Sequence, residues 1–350
     1  METTITSLRP LRLGEILDQA VRLYRRNFVT FIGIVALIYV PVTLIQLGLS
    51  YFTTSTINMS ASDPSQLFGA AYFLAMGGSV VMGYVQLVLV QGVAAAALTI
   101  AVTANFLGEQ VGIVEAYRRL RESLGRLILT LTILFLLIVA LTIAAIFIPC
   151  VGWLVGPGML IFLTLAVNPL LAPNIVMEKQ GALESLRRAW DLGRRRFWWL
   201  LGFIFILVLF SLLVVFGPTM VLNFILTAIF GSELSINPTL LSTLVAGFVS
   251  LTFRLLYLPL QLTAQALVYY DLRVRTEGFD LALLSLQNTG MQPTIEAIQA
   301  LPLQAPSTRF MEWSDVGNFV ILTLAIVGLY ILLFALLFFL ILGAAGLSRF

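Results

Sequence analysis

The chain has 350 residues, of which 60% are hydrophobic and only 11% are charged. A soluble globular protein has roughly 25% charged residues, so this composition excludes a soluble protein and predicts one that is embedded in a membrane. The formal net charge is only +3 and no long basic tail is present, so we predict that nucleic acid is not a partner.

The residue types that are missing exclude most kinds of catalytic site. The chain contains no histidine, and Cys150 is its single cysteine. Histidine-dependent catalytic triads and metal sites with histidine ligands are therefore excluded, and one cysteine forms neither an internal disulfide nor a zinc cage. We predict no catalytic residue, no metal and no cofactor, and we expect a protein that is not an enzyme.

Seven apolar stretches are long enough to cross a bilayer, which requires about 20 residues in a helix. They are approximately 28–52, 67–104, 127–148, 153–177, 197–216, 240–270 and 316–345. Lysine and arginine concentrate before the first stretch and after the second, fourth and sixth. Since basic residues collect in cytoplasmic loops, this pattern predicts a cytoplasmic N-terminus and, with seven spans, a C-terminus outside.

A segment with helical periodicity and several arginines precedes the first, third and fifth stretches. The first and third segments match in register: Glu15 with Glu184, Ala20 with Ala189, Leu23 with Leu192, Arg25 and Arg26 with Arg194 and Arg195, and Phe28 with Phe197. An apolar stripe facing acyl chains, with arginines facing lipid phosphates, is typical of a helix in the headgroup layer. The alternative is that these segments are cytoplasmic extensions of the spans with a solvated charged face.

The interfacial interpretation assigns lipid-headgroup contacts to nine arginines. They are Arg22, Arg25, Arg26, Arg118, Arg119, Arg187, Arg188, Arg194 and Arg195. We therefore predict an all-α polytopic membrane protein built from three amphipathic-helix-plus-hairpin units and an added seventh span. Its domains are a six-span membrane domain with three interfacial helices over 1–280, a cytoplasmic linker over 281–313 and a seventh transmembrane helix over 314–350.

Arg254 is the one basic residue inside a predicted span, and an ionisable group at that depth is a functional hypothesis by default. With Asn168 and Gln261 it forms a candidate intramembrane polar site, since no acidic residue inside a span is available to pair with it. The alternatives are that Arg254 snorkels to the outer interface, and that the polar groups only fix helix packing.

Two further patterns concern packing and surface charge. Small residues at Ala71, Ala75, Ser79 and Gly83 recur every four positions and predict a close helix-packing face, either within the chain or against a partner. The mixed charges that close the sixth span are predicted to form surface ion pairs of small energetic value. They are Asp271, Arg273, Arg275, Glu277 and Asp280.

Three stretches resemble a widespread bacterial family of six-span proteins. They are LRPLRLGEILDQAVRLYRRNF (8–28), GALESLRRAWDLGRRRFWWLLG (181–202) and YYDLRVRTEGFD (269–280). The family is the glycerophosphoryl diester phosphodiesterase membrane domain, together with related domains of unknown function. The resemblance covers about 8–280 and implies a multi-pass protein of the bacterial plasma membrane. The family's catalytic domain depends on histidines, which this chain lacks, so the hydrolase activity is not carried over.

These observations favour a non-enzymatic scaffold or accessory component of a membrane complex. The alternative is a lipid or small-molecule transport or binding protein with a polar cavity around Arg254, and a lipid enzyme ranks last. The expected partners are membrane lipids, especially those with anionic headgroups, and other membrane proteins bound through the seventh span.

Overall fold

A computed structural model describes residues 11–62, 69–149, 151–230, 238–288, 294–299 and 311–347. The described chain is 93% helical, without a strand, and has seven helices that are long and apolar enough to cross a membrane. These are Phe28–Thr53, Ala70–Phe106, Ile113–Phe147, Gly152–Glu178, Phe197–Leu222, Leu244–Glu277 and Trp313–Phe339. The predicted all-α polytopic fold and its seven spans are confirmed.

The helices follow one another with short connections. In chain order they are α1 (Leu13–Arg26), α2 (Phe28–Ser62), α3 (Ala70–Val85), a first π-helical segment (Gln86–Ala94), α4 (Ala95–Phe106), α5 (Ile113–Leu120), α6 (Leu124–Phe147), α7 (Val151–Glu178), α8 (Ala182–Arg195), α9 (Phe197–Ser211), a second π-helical segment (Leu212–Phe216), α10 (Gly217–Phe230), α11 (Pro238–Glu277), α12 (Phe279–Asn288), α13 (Ile295–Gln299) and α14 (Trp313–Leu347). The predicted boundary between membrane domain and linker, at 280, falls inside α12, and 289–293 and 300–310 of the linker lie outside the described residues.

The second span is the central helix of the bundle. Every residue from Ala95 to Ala104 in α4 is buried, and α4 packs against α2, α5, α7 and α11. Alanines dominate this stretch, and their small side chains allow neighbouring helix backbones to approach closely. These neighbours therefore cover α4, which has little contact with lipid along this half of the second span.

The first amphipathic helix packs on protein along its length. At one end the Leu11 N–H donates to Asp271 Oδ1 at 2.7 Å, and at the other Tyr24 Oη donates to the Leu256 carbonyl at 2.9 Å. Fifteen residues separate the two contacts on α11, about 22 Å of helix, so α1 runs antiparallel beside α11. Its stripe at Ile16 and Ala20 is buried, so the prediction that this stripe faces acyl chains is wrong for these residues.

The three arginine-bearing helices are distinct from the spans that follow them. A single non-helical residue separates α1 from α2 at Asn27 and α8 from α9 at Arg196, and a short 3₁₀ turn links α5 to α6. Nevertheless, all three helices bury part of their apolar stripe inside the bundle.

The seventh span packs on the bundle through α7. A side chain added at Gly158 of α7 would place its Cβ 2.4 Å from Thr323 Oγ1. The glycine therefore permits close contact between the two helices. Only 6% of the most apolar window of α14 is buried, so most of its apolar surface faces outward.

Candidate intramembrane binding site

The charged helices meet at one end of the bundle, which we call the basic end: α1, α5, α8 and the C-terminal ends of α7 and α11. Of the nine predicted lipid-binding arginines, four are exposed without a described ion pair. These are Arg22, Arg25, Arg26 and Arg187. Three others are partly or fully exposed but form ion pairs with carboxylates: Arg118 with Glu115, Arg119 with Glu109 and Glu115, and Arg195 with Asp191.

Arg188 and Arg194 are placed differently from the prediction. Arg188 is 1% exposed, and its guanidinium binds Glu178 at 3.0 Å and also Glu277. Arg194 binds Asp315 at 2.7 Å and Asp191 at 2.8 Å. The prediction that both arginines meet lipid phosphates is therefore wrong, because protein carboxylates already occupy their donors.

The ion pairs of Arg194 favour the charged form of its guanidinium. Burial disfavours the charged guanidinium, but hydrogen bonds to Asp191 and Asp315 outweigh that effect and raise the pKa of Arg194. Because Asp315 opens α14, this contact fixes the seventh span to α8. Trp198 of α9 adds a second link, its indole N–H donating to Asn318 Oδ1 at 2.8 Å.

The charges that close α11 form a buried network instead of the surface pairs we predicted. Arg273 lies 3.1 Å from Glu277, and its guanidinium stacks 4.4 Å from the centre of the Phe279 ring. Tyr269 Oη donates to Glu178 Oε1 at 2.8 Å. Glu178, Arg188, Arg273 and Glu277 thus form a network of two cations and two anions that joins α7, α8 and α11.

The remaining members of that group lie nearer the surface. Arg275 binds the buried carboxylate of Asp271 at 2.6 Å and also donates to the Leu11 carbonyl. Together with the Leu11 N–H on Asp271, this contact attaches the start of α1 to the end of α11. Asp280 is partly exposed.

Arg254 lines a cavity of about 380 Å³ between the spans. The cavity is bounded by α2, α3, the first π-helical segment, α9 and α11. Its lining residues are Tyr39, Gly83, Gln86, Leu87, Val90, Gln91, Ser211, Arg254, Tyr257, Leu258 and Gln261. Arg254 and Gln261 of the predicted polar site therefore share one cavity.

Irregular helical geometry surrounds this cavity. The first π-helical segment contributes four lining residues, beginning with Gln86, and the second begins directly after Ser211. π-Helical turns are rare in proteins, but those that do occur are often found at functional sites. In α11, Pro259 has no N–H to donate to the Leu255 carbonyl, which belongs to the residue next to Arg254. Three of the walls thus depart from a regular α-helix at the level of the arginine.

Arg254 has no counter-charge in the described part of the chain. Its side chain is exposed to the cavity and makes no ion pair or hydrogen bond with any described residue, and the lining includes no aspartate or glutamate. A guanidinium offers several donors in a planar fork that fits carboxylate and phosphate oxygens. The cavity is therefore suited to an anionic group, with glutamine amides and a tyrosine hydroxyl as neutral partners.

Asn168 and the predicted small-residue face are placed differently from the predictions. Asn168 of α7 does not line the Arg254 cavity; the Asn168 Oδ1 atom is buried without a hydrogen-bond partner among the described residues. In α3 only Ala75 of the small-residue face is buried, while the others are exposed. Ser79 and Gly83 line a second cavity, and Gly83 also lines the Arg254 cavity, so the small-residue face is not a close packing surface within the chain.

Sequence reasoning missed the contribution of the first span to the site. Tyr39, Gln46, Ser50 and Thr53 follow one another at spacings of seven, four and three residues, which places them on one face of a helix. Such a polar stripe inside an apolar span was the signal that could have identified this wall. Gln86 of the second span lines the same cavity as Gln46, and its side-chain amide donates to Gln46 Oε1.

Comparison of the chain with protein-family models, curated proteins and solved structures finds no match. The resemblance to the six-span bacterial family thus stays a prediction.

Proposed function

We propose that this integral membrane protein binds the anionic group of a lipid or small molecule within the membrane, at Arg254. The observation that carries this proposal is the guanidinium of Arg254, which lines a 380 Å³ cavity without a carboxylate partner among the described residues. Ligand-binding cavities typically occupy about 300 to 1,000 Å³, so the space is large enough for a compact polar ligand or a lipid headgroup.

Electrostatics give the reason for an anionic ligand. A charged side chain in the low-dielectric interior of a membrane is costly, and such residues usually pair or line a polar cavity. An incoming phosphate or carboxylate supplies the missing negative charge, and its hydrogen bonds with a guanidinium are roughly twice as strong as neutral ones. Gln91 of the first π-helical segment and Gln261 of α11 line the same cavity and supply amide donors for the remaining oxygens.

The scaffold hypothesis has weaker support. It depends on a partner protein covering the exposed apolar face of α14, of which 6% is buried. Lipid acyl chains cover such a face equally well, because they are as apolar as leucine side chains. The placement of the basic end in the cytoplasm of a bacterial cell remains part of the proposal and follows from the positive-inside rule.

The direct test compares Arg254→Gln with Arg22→Gln after gentle purification. Arg22 is exposed at the basic end and serves as the matched control for the loss of one arginine. Native mass spectrometry should find an anionic lipid or metabolite on the wild-type protein and on Arg22→Gln. Arg254→Gln should retain it at least tenfold less, the loss of about 1.4 kcal/mol expected when one charged hydrogen bond is removed. Equal retention by the two variants would contradict the proposal.

A further inference from the structure

A second cavity, which we call the vestibule, adjoins the Arg254 cavity. It has a volume of about 310 Å³, and its polar lining comes from Gln46, Ser50, Thr53, Ser79 and Gln86. Gly83 and Gln86 line both cavities, so the two spaces meet at these residues. The lining of the vestibule includes no charged residue among those described.

The vestibule lies on the side of the Arg254 cavity that is farther from the basic end. Along α2, Tyr39 of the Arg254 cavity is about 17 Å from Phe28, whereas Thr53 of the vestibule is about 38 Å from it. Phe28 follows α1 directly and therefore marks the basic end of this helix. Since hydrocarbon is roughly 30 Å thick, Thr53 lies near the opposite membrane surface.

A single amide pair stands where the two cavities meet. Gln86 lines both cavities, Gln46 lines only the vestibule, and Gln86 Nε2 donates to Gln46 Oε1. This hydrogen bond links α2 to the first π-helical segment. It joins two neutral, flexible side chains, so it opens more easily than an ion pair or a packed aromatic cluster. The freed amide N–H groups can then donate to a passing anion.

We infer that an anionic ligand reaches Arg254 from the end of the bundle opposite the basic end, through the vestibule and past the Gln46–Gln86 hydrogen bond. The inference rests on the proposed anion site and adds its route of access. The ligand class is a phosphate or carboxylate whose remaining part makes neutral hydrogen bonds. The guanidinium holds the anionic group, and the hydroxyl and amide groups of the vestibule face the remainder.

Cysteine accessibility tests the route. In a Cys150→Ala background, Ser50→Cys reports on the vestibule and Ser211→Cys on the Arg254 cavity, beyond the glutamine pair. The probes are two membrane-impermeant methanethiosulfonates, one carrying a sulfonate and one a trimethylammonium group, applied to right-side-out and inside-out vesicles. Ser50→Cys defines the vestibule side whatever the orientation of the protein.

We expect Ser211→Cys to react from the same side as Ser50→Cys, and roughly tenfold faster with the anionic reagent than with the cationic one. Adding Gln46→Ala should accelerate modification at Ser211→Cys severalfold and leave Ser50→Cys unchanged. The control is Leu44→Ala, which removes an exposed side chain of the same helix and should change neither rate. Circular dichroism and gel filtration establish that each variant is folded.

The access route and the anion site can be disproved separately. Modification of Ser211→Cys from the basic side alone, or from neither side while Ser50→Cys reacts, would overturn the access route. Acceleration by Leu44→Ala equal to that by Gln46→Ala would overturn the role of the glutamine pair. If Arg254→Gln leaves the preference for the anionic reagent unchanged, the proposed anion site itself is wrong.

Discussion

The helices α1 and α8 have matching sequences and contrasting surroundings. Their glutamates, alanines and paired arginines coincide when α8 is shifted by 169 residues, and both helices lead into a span. Yet Arg25 of α1 is exposed, while its counterpart Arg194 is 4% exposed and bound between two aspartates. The same pattern on a helix therefore serves two different purposes in one bundle.

The difference comes from carboxylates, one in α8 itself and others on neighbouring helices. At the positions of Arg188 and Asp191, α1 carries Gln19 and Arg22. The partners that bury Arg188 come from the ends of α7 and α11, and Asp315 comes from α14. The environment of an arginine at the basic end thus depends on carboxylates of its own helix, such as Asp191, and on those that neighbouring helices bring to it.

A second repeated pair supports this conclusion. Glu109 and Arg119 are separated by ten residues, as are Glu178 and Arg188, and the two pairs lie 69 residues apart. The first pair is partly exposed and the second is buried. Glu277 of α11 joins only the second pair, and α11 covers it from solvent.

The largest loss of stability is expected from removing the charge of Glu178, which lies in the buried ion network. Glu178→Gln leaves two buried arginines with one carboxylate, and breaking a buried ion pair from one side costs about 3 to 5 kcal/mol. Arg22→Gln in α1 should stay within about 0.5 kcal/mol, as for an ordinary surface substitution. Denaturant unfolding in detergent micelles, followed by tryptophan fluorescence, gives both values. Similar losses in the two variants would show that the buried charges contribute no more to stability than the exposed arginine of α1.

The attachment of the seventh span should show a smaller coupling. In a double-mutant cycle, Arg194→Gln and Asp315→Asn should share an interaction free energy of about 1.5 to 3 kcal/mol, typical of a hydrogen bond to a charged group. The matched substitution in α1, Arg25→Gln, has no such partner and should show no coupling to Asp315→Asn. Additive effects at Arg194 and Asp315 would show that the contact does not hold α14.

Lipid binding should reverse the ranking of the buried and the exposed arginines. Each exposed arginine of α1 should contribute about 1 kcal/mol of attraction to an anionic surface. Arg26→Gln should therefore reduce the stabilisation that phosphatidylglycerol nanodiscs give relative to phosphatidylcholine nanodiscs, measured as the thermal unfolding midpoint. Arg187→Gln, exposed on α8, should behave in the same way. A lipid effect confined to buried arginines would contradict the assignment.

The smallest effect concerns Glu109, whose hydrogen bond from Arg119 lowers the pKa of the carboxyl. A lowered pKa in the folded state contributes stability above the unfolded pKa, and this contribution disappears as the pH falls through the folded value. Because both side chains are substantially exposed, the contribution should be below about 1 kcal/mol. Wild type and Glu109→Gln should differ slightly in stability at pH 7, and the difference should shrink as the pH falls through the lowered pKa of Glu109.

Sequence alone predicted the spans because each must be apolar over its whole length, a property of about 20 consecutive residues. It also identified Arg254 and Gln261, since a charge or amide in such a stretch stands out. It did not predict the burial of Arg188, whose partners lie 10 and 89 residues away. The vestibule was missed for a similar reason: its two walls come from different helices, and each contributes only weakly polar residues.

The arginine in α11 also has a consequence for how the protein is made. The span that contains Arg254 is the least hydrophobic of the seven candidates, and an arginine at the centre of a helix adds about 3 kcal/mol to the cost of leaving the translocon for lipid. Because α11 packs against α2, α4 and α7, the earlier helices offer it protein contacts in place of lipid during biosynthesis. Replacing Arg254 by leucine would then raise the yield of inserted protein while removing its anion site, so abundance and binding would change in opposite directions.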